Sequence, residues 1–92
     1  MTDRIWKRNT RASKETWEYG EYIQHPVLRQ TMPHWVTAGY IRKKKNKPRC
    51  RDWLVYSSFN GWGPSYLGCL TDMKRADAQA AAQLLIGAQH ET

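Results

Sequence analysis

Ninety-two residues suffice for one domain with one modest core, because a chain of this size buries roughly 60–65% of the surface its unfolded form exposes and can spare little for a deep cleft. An apolar content of 40% with five Trp excludes a disordered chain, and a net charge of +7 directs the protein towards nucleic acid, an anionic membrane surface or an acidic protein. No apolar run follows the basic start Met1-Thr2-Asp3-Arg4-Ile5-Trp6-Lys7-Arg8, and no stretch approaches the ~18–20 apolar residues that span a bilayer, so a soluble, cytoplasmic protein without a membrane partner is expected.

In chain order, residues 1–15 are polar and basic with two isolated apolar residues, Ile5 and Trp6, and read as an N-terminal arm ahead of a single domain over 16–92. The arm carries Arg4, Lys7, Arg8, Arg11 and Lys14; such arms track phosphate backbones, or are plain flexible termini. Thr16–Gln24 is aromatic and partly alternating, a strand with an interruption at Gly20 or Glu21. His25-Pro26 to Met32-Pro33 is a connector with room for a helical turn at Val27–Gln30, since proline opposes ladder pairing. Trp35–Arg42 is a second strand and Asp52–Phe59 a third, with Trp53, Val55 and Phe59 on one face and Leu54 and Tyr56 on the other.

Between these two strands, seven positive charges fall within ten residues: Arg42, Lys43, Lys44, Lys45, Lys47, Arg49 and Arg51. The connection Lys43–Arg51 exceeds the two to five residues of a tight hairpin, so its tip is expected to be mobile in the free protein. Charge presented between packed strands occupies a fixed place on a surface, which recognition of a polyanion requires. The competing reading is a solvated tip whose like charges discourage edge pairing. Asn60-Gly61 and Gly63-Pro64 are turn signals, and Ser65–Leu70 is a short fourth strand. Thr71 or Asp72 caps a helix over Met73–Ile86, stopped by Gly87, with Met73, Ala76, Ala80 and Leu84 as its packing stripe. The expected fold is α+β: a small antiparallel sheet of three to four strands with one C-terminal helix packed across one face.

Chemistry finds little foothold. Cys50, Cys69 and three His lack zinc-knuckle spacing, so no metal and no cofactor are expected. No paired carboxylates and no phosphate loop appear, and Cys50 with His25 or His34 has nothing to support a Cys–His hydrolase, so no catalytic residue and no small-molecule substrate are assigned. Cys69 reads as a small core residue, whereas Cys50 lies where neighbouring Arg would lower a thiol pKa. The binding residues are then Arg42, Lys43, Lys44, Lys45, Lys47, Arg49 and Arg51, with Arg4, Lys7 and Arg8 from the arm. Trp62, between two glycines, joins them as an interface anchor or stacking platform, unless it folds back over the sheet edge. Trp17, Trp35 and Trp53 sit at strand positions and read as core.

From Met1-Thr2-Asp3-Arg4-Ile5-Trp6 to Ala88-Gln89-His90-Glu91-Thr92 the chain resembles, in length and overall sequence, a phage-encoded type I-F anti-CRISPR protein. These inhibitors share no signature motif, so no residue roles transfer with the resemblance. It implies action in the cytoplasm of an infected bacterial cell. The partners it implies are the Cas proteins and crRNA of a Cascade-like surveillance complex, which would be kept from binding target DNA or pairing it with the guide. Acidic inhibitors imitate DNA; a +7 chain would instead grip the guide-RNA backbone or acidic Cas patches. The alternative is a small basic phage DNA-binding regulator or recombination accessory protein that contacts nucleic acid directly, since three strands and a helix are similar in layout to integrase arm-binding and plant ethylene-response-type domains, which read DNA with the sheet.

Overall fold

The computed structural model describes residues 4–23, 33–58 and 64–91, with side chains to residue 88. Five strands, β1 Ile5–Asn9, β2 Thr16–Ile23, β3 His34–Lys43, β4 Trp53–Ser57 and β5 Ser65–Leu70, form one antiparallel sheet in chain order. The helix α1, Arg75–Glu91, packs on one face of it, over β3, β4 and β5. The α+β layout is the one expected, but the sheet has five strands rather than three to four. The added strand is β1, within the segment expected to be an arm. Trp6 pairs with Tyr19 and their ring centres lie 5.0 Å apart, so one covered aromatic suffices to dock an edge strand whose other apolar residue, Ile5, stays exposed and whose remaining residues are polar.

Two irregularities decide which side chains face the helix. Between Tyr19 and Gly20 the β2–β3 register shifts, at the interruption expected there, and the extra residue on β3 turns both Ala38 and Gly39 inward. A Cβ on Gly20 would run into the Val36 carbonyl oxygen, so a side chain is excluded where the strands close. The second shift lies between Val55 and Tyr56, opposite Gly68, whose φ of 149° is open only to glycine. The core is Tyr19, Ala38, Ile41, Trp53 and Val55 from the sheet with Ala78, Ala82 and Ile86 from the helix; Trp6, Trp17, Leu67, Leu70 and Met73 pack around it.

The helix is rotated from the expected stripe. Ala78, Ala82 and Ile86 are fully buried, whereas Ala76 and Ala80 face solvent and Leu84 is 77% exposed. An offset of two residues is about 200° of rotation, the opposite face. Alanine at 76, 78, 80, 81 and 82 provides almost no contrast between faces. What selects the face is the sheet: a Cβ on Gly39 would lie 2.6 Å from Ile86 Cδ1, so Ile86 fills the space that Gly39 leaves. The helix also continues past Gly87, which is flanked by good helix formers and meets no obstacle. Neither expected cap is used. The first helical amide bond runs from Ala78 to the Lys74 carbonyl, and Asp72 has φ 53° with its amide donating to Asp52 Oδ1 at 3.1 Å.

Two further expectations are corrected. Cys69 is exposed, because it pairs with Leu54 on the face away from the helix. Trp35 likewise lies on that open face rather than in the core, half-buried beside Tyr22 with ring centres 4.9 Å apart. The Val27–Gln30 turn, the Asn60-Gly61 turn, Phe59 and Trp62 fall outside the described residues.

Candidate nucleic-acid interface

The strand register gathers cations from separate segments at one end of the sheet. Thr16 pairs with Arg42, and the Lys43 amide donates to the Glu15 carbonyl at 3.0 Å, so the β1–β2 turn lies against the β3–β4 loop. Lys14 Nζ donates to the Lys44 carbonyl at 3.3 Å across that boundary. The loop is hydrogen-bonded locally: the Lys47 amide donates to the Lys45 carbonyl, the Cys50 amide to the Lys47 carbonyl and the Lys44 amide to the Asp52 carbonyl. Lys44, Lys45, Lys47, Arg49 and Arg51 are exposed on it.

A third contribution comes from the start of α1. The Met73 amide donates to the Arg51 carbonyl at 2.8 Å and the Trp53 indole donates to the Met73 carbonyl at 3.0 Å, which fixes Lys74 and Arg75 beside the loop. Cations at a helix N-terminus oppose the helix dipole by about 0.3–1 kcal/mol each. Only Asp77 offsets them in the first turn. The Arg75 guanidinium is held 4.7 Å from the Trp17 ring centre, a contact that offsets part of this cost, and with Lys74 and the helix dipole it makes this corner electropositive. Two shallow recesses of about 350 and 380 Å³ open among these groups, one bordered by Lys43, Arg51, Lys74 and Arg75 with Glu15, the other by Lys45, Lys47, Arg49 and Arg51 with Asp52 and Asp72.

Lys43 differs from the rest of the loop. It pairs with Glu15 at 3.5 Å, with side chains only 13% and 25% exposed, and its ammonium lies 5.6 Å from the Trp53 ring centre. By contrast the Arg51–Asp72 pair, also 3.5 Å, is 52% and 86% exposed and contributes little. Burial pushes the Glu15 carboxyl up, but the Trp17 indole at 3.0 Å, Lys43 and Arg8 outweigh it and hold the pKa below its usual 4.5. A depressed carboxylate contributes stability that is present above the unfolded value and lost as pH falls through the folded one. Glu15→Gln is therefore expected to destabilise the fold by about 1–2 kcal/mol at pH 7, leaving Lys43 with the Pro48 carbonyl at 3.4 Å in place of a carboxylate. In denaturant titrations the gap from wild type should shrink as pH falls below 4.5; a gap independent of pH contradicts this assignment.

The other expected residues separate. Arg8 is exposed and belongs to the basic end through Glu15, whereas Arg4 precedes β1 at the far end. Lys7 stands on the open face, its Nζ 5.2 Å from the Tyr22 ring centre and 5.0 Å from that of Trp35. Arg42 is half-buried on the same face; its Nη2 donates to the Tyr56 hydroxyl at 3.3 Å and its Nε is buried with no hydrogen-bond partner among the described residues. Burial pushes the Cys50 thiol up, but the backbone amides of Asp52, Lys45 and Lys44 carry it below its usual value, so the lowering comes chiefly from the backbone rather than from neighbouring arginines.

Lys74, Arg75 and the open-face aromatics are what a linear reading misses. For Lys74 and Arg75 the only sequence signal is a basic pair where a helix start favours acids. Among the described residues no group of three or more His, Cys, Asp and Glu is placed to hold a metal ion, and no helix is long and apolar enough to cross a membrane. Comparison with protein-family models, curated proteins and solved structures returns no match to this chain.

Proposed function

We propose that this protein is a non-catalytic binder that grips nucleic-acid backbone through its basic end. What carries this reading is the convergence of Arg11 and Lys14 from the β1–β2 turn, the β3–β4 loop cations, and Lys74 and Arg75 on one surface. Lys serves as a point charge there, while Arg49, Arg51 and Arg75 can fork two hydrogen bonds onto one phosphate. The resemblance to type I-F anti-CRISPR proteins supplies the setting: the guide RNA of a crRNA-guided surveillance complex is the backbone gripped, and target DNA is obstructed from pairing with it.

The purified type I-F surveillance complex tests that setting by pull-down. Co-elution at moderate salt, with loss of target-DNA binding by the loaded complex, is expected. Failure to co-elute, combined with a shift of free duplex DNA at low salt, would replace the inhibitor by a direct DNA-binding regulator.

A further inference from the structure

We propose that the open face of the sheet binds single-stranded nucleic acid, one base entering a recess beside Tyr40 while the backbone continues onto the basic end. This deepens the reading above and rests on it. Tyr40 on β3 and Tyr56 on β4 are stacked, with ring centres 4.9 Å apart and planes 16° from parallel, and Tyr66 on β5 follows at 5.6 Å. The row therefore runs across three neighbouring strands on the face that no described element covers. Tyr66 is 57% exposed at its end.

Beside Tyr40, over β2 and β3 and reaching Asn9 of β1 and Ser58 just after β4, lies a recess of about 260 Å³. That is just below the ~300–1,000 Å³ of sites enclosing drug-sized ligands, and suits one planar group. Among the described residues Tyr40 is its only aromatic border; the others are Asn9, Thr16, Glu18, Thr37 and Ser58, all polar. A planar base entering there extends the Tyr56–Tyr40 stack and meets hydrogen-bonding groups at its edge. Stacking on aromatic side chains is how single strands are held without reading a duplex groove.

Glu18 sets which edge fits. It pairs directly with Tyr40 across the strands, and the Thr37 hydroxyl at 2.6 Å and the Trp35 indole at 3.3 Å hold its Oε1. A fixed carboxylate accepts hydrogen bonds from an exocyclic amino group, as from cytosine N4, and repels phosphate. The backbone is thereby directed to Arg42 and onward to the loop, since Thr16, on the recess wall, pairs with Arg42 at the basic end. Burial pushes the Tyr40 phenol above its usual value, with Arg42 opposing, so the platform stays neutral and protonated at physiological pH. A duplex has its base edges paired and cannot supply one to the recess.

Fluorescence anisotropy with labelled oligocytidine, oligothymidine and a duplex of equal length, at fixed salt, tests this with Tyr40→Ala, Tyr40→Phe and Glu18→Gln. Wild type should prefer oligocytidine. Tyr40→Ala should lose about tenfold for single strands alone, with an unchanged dependence of affinity on salt, because stacking releases no counterions. Tyr40→Phe should retain binding. Glu18→Gln, a nearly isosteric change that keeps its value should Tyr40→Ala misfold, should erase the preference for cytidine over thymidine. Equal affinity for single strand and duplex with no effect of either residue overturns the recess and leaves the basic end standing. Absence of binding to every probe at 50 mM salt overturns both.

Discussion

Replacing Lys44, Lys45 and Lys47 together by glutamate is expected to weaken nucleic-acid binding by about 100- to 500-fold at 0.1 M salt. A phosphate contact that counts for nothing at 1 M contributes about fivefold on single strands and eightfold on duplex at 0.1 M, so three lost contacts give this range before any added repulsion. These three lysines are chosen because all are exposed and lie on the loop beyond the paired strands. Lys43 is omitted because its pairing with Glu15 over Trp53 would mix stability into the result. The melting temperature should stay near that of wild type, and the slope of log affinity against log salt should fall by about 2–3. Retained affinity in a folded triple variant would reduce the loop to a solubility device.

The largest effect on stability is expected from Trp53→Ala. Trp53 is 2% exposed at the start of β4, in the core cluster with Ala78, Ala82 and Ile86 of α1, and its indole donates to the Met73 carbonyl at 3.0 Å. Truncating a buried Trp to Ala costs about 3–5 kcal/mol, and a domain of this length has only about 5–14 kcal/mol in total. At roughly 4–8 °C per kcal/mol for a domain this small, the melting temperature should fall by about 15–30 °C. Trp53→Phe keeps most of the packing and loses the hydrogen bond, and should cost about 1–2 kcal/mol. A drop below 5 °C for the alanine variant in a thermal circular-dichroism scan would contradict the central place given to this residue.

What the sequence made legible follows from where its patterns have contrast. β4 alternates Trp53 and Val55 against Leu54 and Tyr56, and the two faces found are those the alternation describes. The bulge at Tyr19/Gly20 and the span of β5 were equally readable from Gly20 and from the run Ser65–Leu70. β1 was not, because Ile5 and Trp6 are adjacent and show no period of two; it becomes a strand only because Tyr19 is there to receive Trp6. The helix could be placed but not oriented, since its alanines are nearly uniform and the orienting partner, Gly39, lies far away in sequence.

The site divides in the same way. The loop cations are contiguous and were visible as a cluster. Lys74 and Arg75 join them through the Met73 hydrogen bonds to Arg51 and Trp53 and through Arg75 on the Trp17 ring, which no linear pattern encodes. The row Tyr40, Tyr56 and Tyr66 draws one residue from each of three strands, so its register, not its spacing, assembles it.

Equilibrium binding of wild type to a guide-length single-stranded RNA, across 50–200 mM salt, shows whether the basic end holds a phosphate backbone. With the loop lysines and arginines, Lys74 and Arg75 engaging about six phosphates, log affinity should fall linearly against log salt with a slope near −4. Saturable binding with that dependence is the predicted result. Affinity that is undetectable at 50 mM, or that does not change with salt, would contradict the assignment of the basic end as a nucleic-acid grip.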